Sequence, residues 1–394
     1  MKDSVARRMR NVLIDSPLPV YDPFGFQGLK GNLSAINLGE GWSPEHILPQ
    51  HVREAAIRAV GKHRHYIPFG IPELKRAIAK RLWTDHQVEY DPSEEILITT
   101  GGIEAQHLII LTTIDKGDEV IMTDPGYRHS YEPNVHLAGG KMVYVPAKED
   151  RKFKIDPHDV AQKISKKTKM LILISPDNPT GSIIDREDLE NLAEIAEENN
   201  LLVLSDEVFR EIVYDGKKAP SIVSIPGMKN RTFIVDSFSK SWNMAGFRIG
   251  YVVSPPKYLL LMANLQIHIT TSVSEISQAA ALAALEGPKD WVIETVREYQ
   301  KRRDLLVDRL NRMSGIRCLK PEGGRCAFPN ISDLGMSTLD FARLLLLEKS
   351  ISIIPTVERQ YGANAGKYCK IGFCKPLSDI EEALERIKDL VNRL

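Results

Sequence analysis

Between residues 96 and 253 the chain carries short apolar runs separated by longer amphipathic stretches. The runs cover residues 96–98, 119–122, 171–174, 202–204, 232–235 and 249–253. Most are hydrophobic at consecutive positions, with no polar side to turn toward water. That pattern fits strands buried on both faces rather than the alternation of a half-exposed sheet. The intervening stretches repeat hydrophobics at helical spacing, as from about Glu104 onward. Strands alternating with helices predict an α/β fold whose mostly parallel sheet lies between helical layers.

The pattern changes near Ser274. Long helical periods run to Met313 with a break at Gly287-Pro288, and a shorter α+β stretch continues to Leu394. The expected organisation is a large α/β domain over residues 46–285 and a small α+β domain over residues 286–394. Residues 1–45 form an N-terminal segment that adds to the small domain. In open α/β sheets, sites lie at the carboxyl ends of the strands, so the junctions after each run are where chemistry is expected.

Composition narrows the classes. The 394 residues are 43% hydrophobic, enough for a large core, and Lys plus Arg balance Asp plus Glu at 52 each. A neutral chain gives no reason to expect nucleic acid or an anionic membrane as partner. The short basic stretch of Arg7, Arg8 and Arg10 reads as one solvated helix face. No run approaches the roughly 20 apolar residues of a membrane span. No apolar signal segment opens the sequence, so a cytoplasmic protein is expected. Cys318, Cys326, Cys369 and Cys374 make no CxxC pair, so neither a metal site nor a disulfide framework is expected.

One junction stands out. The run at 232–235 is followed by Ser237-Phe238-Ser239-Lys240-Ser241, and then by Ala245-Gly246-Phe247-Arg248-Ile249-Gly250. A lysine at a strand end can form a Schiff base with an aldehyde cofactor. Flanking hydroxyls and the rigid fork of Arg248 can bind a phosphate. This stretch resembles, slot by slot, the lysine-attachment signature of the class I/II aminotransferases, a fold-type I pyridoxal-phosphate family.

Further matches follow in family order, from about Ile36 to the C-terminus. The resemblance implies a mostly parallel seven-stranded sheet and pyridoxal 5'-phosphate bound to Lys240. Asp206, opening Asp206-Glu207-Val208, would pair with the cofactor's ring nitrogen. Asn178, in Asp177-Asn178-Pro179, would donate to the ring's phenolate oxygen. Gly102 and Ile103, in Gly101-Gly102-Ile103, would offer backbone N–H groups to the phosphate, joined by Ser237, Ser239 and Arg248. Tyr127 would stack on the ring. Tyr66 would reach the phosphate of a neighbouring subunit, which implies a homodimer with composite sites. Gly41 would lie against the substrate carboxylate. Alone, several of these read as ordinary turn or capping residues; their order carries the resemblance.

The sequence also departs from the family. Where a tyrosine usually bonds the phenolate oxygen, the chain has Phe209. Where an arginine usually grips the substrate α-carboxylate, it has Lys370, in Lys370-Ile371-Gly372-Phe373. Its Gly323-Gly324-Arg325-Cys326 replaces Gly-Ala-Phe-Tyr, and Arg325 reads either as a pocket residue or as a surface arginine. These patches resemble a side branch that includes capreomycidine synthase and pyridoxal-phosphate arginine oxidases.

The expected activity is transfer of an α-amino group from an L-amino acid to a 2-oxo acid, by a ping-pong mechanism through a Lys240 aldimine. The alternative is β-elimination, β-replacement or oxidative deamination of a polar or cationic amino acid. A DNA-binding regulator on the same fold is not expected, because fewer than about forty residues precede the matched stretch and the charge is neutral. The segment to about residue 35, with Tyr21, Phe24 and Phe26, and Trp42 just beyond, reads as a lid. The amino donor stays open.

Overall fold

The fully apolar runs pair into one sheet. The computed structural model describes residues 35–39, 47–61, 68–356, 358–363 and 365–394. A short strand β1 (Ile36–Asn37) comes first. The sheet follows, from β2 (Ile96–Thr99), β3 (Glu119–Asp124), β4 (Lys141–Pro146), β5 (Thr168–Ile174), β6 (Leu202–Asp206), β7 (Thr232–Ser237) and β8 (Gly250–Val253). Its seven strands lie in the order β2-β8-β7-β6-β5-β3-β4. Only β8 runs against its neighbours; the pairs β7/β6, β6/β5, β5/β3 and β3/β4 are parallel. The family's expected sheet is therefore present. The edge strand β4 was not among the apolar runs. Its Lys-Met-Val-Tyr-Val-Pro mixes exposed and buried positions, as an edge strand can.

This topology sets the site. Strands β5, β6 and β7 are parallel, and β2 shares their direction because both β2 and β7 oppose β8. Their carboxyl ends meet along one edge, and the antiparallel β8 brings its beginning to the same place. Gly250 marks that convergence. A Cβ there would lie 2.8 Å from the Asp236 carbonyl oxygen and 2.9 Å from the Gly102 nitrogen, so only glycine fits.

A second core forms around the C-terminal elements. Strand β9 (Cys326–Ala327), β10 (Ile351–Ser352), β11 (Ile354–Pro355) and β12 (Cys369–Gly372) are short. They make a three-stranded antiparallel sheet, β11-β12-β9, and a parallel β1/β10 pair. The helix Leu377–Val391 buries Ile380, Ala383, Leu384, Ile387, Leu390 and Val391, the spacing of one helical face. Those side chains pack with Leu306 and Leu310 of the helix Asp290–Asn311, and with Leu38 beside β1. Phe209, Ile212 and Tyr214, from the loop after β6, join the same cluster. No helix among the described residues is long and apolar enough to cross a membrane.

Candidate active site

Lys240 stands in the turn that leaves β7. The turn is pinned from both sides. Phe238 is fully buried against Trp242 and Tyr251, its N–H donates to the Ile249 carbonyl (3.1 Å), and its carbonyl accepts from the Met244 N–H (3.0 Å). The Ser239 N–H donates to Ser237 Oγ at 3.1 Å. Burial lowers the Lys240 pKa to about 7, and the positive charges of Arg325, Lys370 and Arg248 push the same way. The Lys240 Nζ faces the Phe209 ring at 6.0 Å from its centroid.

Asp206 closes β6 and is 3% exposed. Its carboxylate accepts from Tyr131 Oη, from Gln106 Nε2 at 3.2 Å and from the Val208 N–H at 3.2 Å. All three donors are neutral, and no cation pairs with Asp206 among the described residues. Burial consequently raises its pKa to about 6. Tyr131 and Gln106 come from the helices Arg128–Ala138 and Gly102–Thr113. No sequence motif marked either.

After β2 the chain turns at Gly101, with φ +80°, a conformation only glycine adopts freely. The helix Gly102–Thr113 starts there, and its first N–H groups have no partner within the helix and no capping side chain on Gly101. The Arg248 guanidinium lies alongside: a Cβ on Gly101 would come within 2.7 Å of Nη2. Arg248 Nη1 donates to Ser239 Oγ (3.4 Å) and to the Ala245 carbonyl (2.9 Å), and no carboxylate pairs with it among the described residues. Backbone N–H groups, hydroxyls and an arginine without a counter-ion together form an anion cradle.

Asn178 follows β5. Its Oδ1 accepts from Lys370 Nζ at 2.9 Å. Lys370 sits on β12, flanked by β9 and β11. Burial works against its charge, yet Tyr361, Cys326, Tyr127 and Asp177 leave its pKa raised. Arg325 precedes β9 and is 3% exposed, so of the two readings from the sequence, the surface one is ruled out.

Gly102, Ile103, Tyr127, Asn178, Asp206, Ser237, Ser239, Lys240 and Arg248 all line one cavity of about 160 Å³, with Phe209 and Gln106. Arg325 and Lys370 adjoin it without lining it. Gly41, Tyr66, Trp42 and the expected lid with Tyr21, Phe24 and Phe26 lie outside the described residues.

The residues present fit pyridoxal phosphate on their own chemistry. Asp206 is a buried anion without a cation, suited to a protonated ring nitrogen. The cradle at Gly101 and Arg248 suits a phosphate. Lys240 is an amine whose pKa is lowered to about 7, so that much of it is neutral and able to attack an aldehyde.

Known proteins give the same direction. The family described as "Aminotransferase class I and II" matches residues 34–387. An aspartate aminotransferase of Pyrococcus abyssi is 36% identical over 92% of each chain. An aromatic-amino-acid aminotransferase of Thermococcus litoralis is 35% identical over 93% of each chain. The crystal structure of an aspartate aminotransferase from Rhizobium meliloti superposes with a TM-score of 0.91 at 30% identity, covering 99% of each chain. The chain belongs to the aminotransferase class I and II family, the pyridoxal-phosphate-dependent transaminases.

Proposed function

We propose that this enzyme moves the α-amino group of an L-amino acid to a 2-oxo acid, with pyridoxal 5'-phosphate attached through Lys240. The observation that carries the reading is that Lys240, Asp206 and the anion cradle share one cavity. Gly102, Ile103, Ser237, Ser239 and Arg248 hold the phosphate. Asp206 keeps a proton on the ring nitrogen, and Asn178 donates to the ring oxygen. Tyr127 walls one side of the ring. When bound, the cofactor supplies an aldehyde for the substrate amine and a cationic ring that withdraws electrons from Cα.

The protein's own chemistry is then proton transfer. Lys240 Nζ, whose pKa is lowered to about 7 so that a substantial fraction is uncharged near neutral pH, removes the substrate Cα proton and later returns it. Lys370 and Arg325 provide positive charge for the substrate carboxylate, and Gly41 supplies backbone beside it. The two substrates use the site in turn, the first leaving as a 2-oxo acid before the second enters. Exposed Ile57, Val60, Leu260, Leu261 and Ile276 give a homodimer an apolar surface, and Tyr66 would complete the neighbouring site.

A second reading has its own observations. Phe209 stands on the cavity wall where the family has a hydroxyl, and Lys370 replaces the family's arginine. Both favour β-elimination, β-replacement or oxidative deamination of a polar or cationic amino acid. The test is to mix holoenzyme, under air, with each common amino acid and 2-oxoglutarate. Glutamate, 2-oxo acid, ammonia and peroxide are assayed, with Lys240→Ala as control. Glutamate formed in step with a 2-oxo acid and without ammonia establishes transamination and names the donor. Ammonia or peroxide without glutamate establishes the second reading.

A further inference from the structure

We propose that Arg325 is the receptor for a substrate carboxylate, and that Lys370 acts chiefly as a positioning residue for Asn178. The inference rests on the aminotransferase reading and assigns separate roles to two residues that the sequence treats alike.

Arg325 is nearly fully buried, and its Nε and Nη1 have no hydrogen-bond partner among the described residues. No carboxylate lies within ion-pair distance of it among those residues. Three other buried arginines have carboxylate partners. Arg81 has Glu211 at 2.7 Å and Asp236 at 3.3 Å; Arg210 has Asp85 at 2.8 Å; Arg303 has Asp215 at 2.8 Å. A buried guanidinium without an anion is expensive to maintain unless an anion arrives.

The backbone holds Arg325 in place. Its carbonyl accepts from the Phe373 N–H at 3.2 Å, and Cys326 beside it is in register with Gly372. Its charge is felt at Lys240, which lines the cavity, as the largest influence after burial on that amine. An amino acid presented to Lys240 therefore meets a guanidinium that hydrogen-bonds Tyr299 and keeps Nε and Nη1 available to donate to a carboxylate. Lys370, by contrast, already donates to Asn178 and offers only a point charge.

The experiment compares wild-type holoenzyme with Arg325→Ala, Arg325→Gln and Arg325→Lys. KM and kcat are measured for alanine and for aspartate, and succinate binding is followed by calorimetry. The cofactor's visible band and the far-UV circular dichroism select the variants that fold and load; the longer, polar glutamine variant serves if alanine does not.

Removal of the guanidinium should weaken succinate binding and lower kcat/KM by roughly 100-fold, mostly through KM. Lysine should recover only part. A loss with aspartate alone places the substrate's side-chain carboxylate on Arg325, and a loss with both amino acids places the α-carboxylate there. Unchanged KM and succinate affinity, with only a moved pH profile, would overturn the proposal. Arg325 would then serve Lys240's protonation alone, and a transaminating wild type would leave the broader reading intact.

Discussion

Lys370 Nζ and Asn178 Oδ1 are joined by a hydrogen bond of 2.9 Å, across 192 residues of chain. The bond settles which end of the Asn178 amide is available. With the oxygen engaged, the NH₂ is left to donate to a ligand in the cavity that Asn178 lines. With Phe209 supplying no hydroxyl, that NH₂ matters more than in a site with two donors.

Lys370→Met should therefore act through Asn178. A hydrogen bond to a charged group contributes about 1.5–3 kcal/mol, so kcat/KM should fall by roughly tenfold or more. Asn178→Ala should fall similarly, and the double variant should be little worse than the poorer single. A double-mutant cycle measures this coupling. Strict additivity would mean that the two side chains act separately.

The low pKa of Lys240 gives a second prediction, made on cofactor-free protein. Burial and the neighbouring cations hold the amine near 7, against an ordinary 10.5. Labelling of Lys240 by an amine-directed reagent, read by mass spectrometry, should rise with pH, with its inflection at about 7, while that of surface lysines has its inflection at about 10. Arg325→Gln removes the largest opposing charge, so the inflection should move to higher pH. An inflection that stays put shows that Arg325 is too distant to be felt.

How far the sequence reached has a physical explanation. Lys240, Asp206, Asn178 and Arg248 lie at strand ends or immediately beyond, where a local motif carries the geometry, and all four line one cavity. Strand β6 was legible because every residue in it is buried. Strand β4 was not, because an edge strand need not be apolar. The two-residue strands β9 to β11 are too short to show a period. Tyr131 and Gln106 reach Asp206 from 75 and 100 residues away, a convergence that no window of sequence contains. Arg325 was ambiguous because its surroundings, with Tyr299 and Cys374 among the groups that feel it, are assembled only by the tertiary fold.

Asp206 should destabilise the cofactor-free protein at neutral pH. Its folded pKa is about 6, raised by burial from an ordinary 3.8. A raised pKa means stability that is fully present below 3.8 and is lost as pH rises through 6. Asp206→Asn keeps the shape and one acceptor oxygen without the charge. Cofactor-free Asp206→Asn should be more stable than wild type at pH 8 by on the order of 2 kcal/mol, with the difference vanishing near pH 4. Denaturant unfolding at both pH values measures it. The loaded variant should be poorer in activity, because the ring nitrogen loses its counter-ion. Equal stability at pH 8 would show that Tyr131 and Gln106 already compensate the buried charge.

Gly101 should be the most sensitive backbone position in the anion cradle. Its φ of +80° is one that side chains rarely adopt, and a Cβ would meet Arg248 Nη2 at 2.7 Å. Gly101→Ala thus combines about 1 kcal/mol or more of backbone strain with displacement of the guanidinium from Ser239 and Ala245. Arg248→Lys leaves the backbone alone and removes only the fork. Both should weaken pyridoxal phosphate, and Gly101→Ala more so, because it also disturbs the N–H groups that open the helix Gly102–Thr113. Equilibrium dialysis on a Lys240→Ala background isolates this non-covalent part of the affinity. A loss of roughly tenfold or more is expected for Gly101→Ala. Unaltered affinity would mean that the phosphate is held elsewhere, and that the loop after β2 serves the close packing of β8 instead.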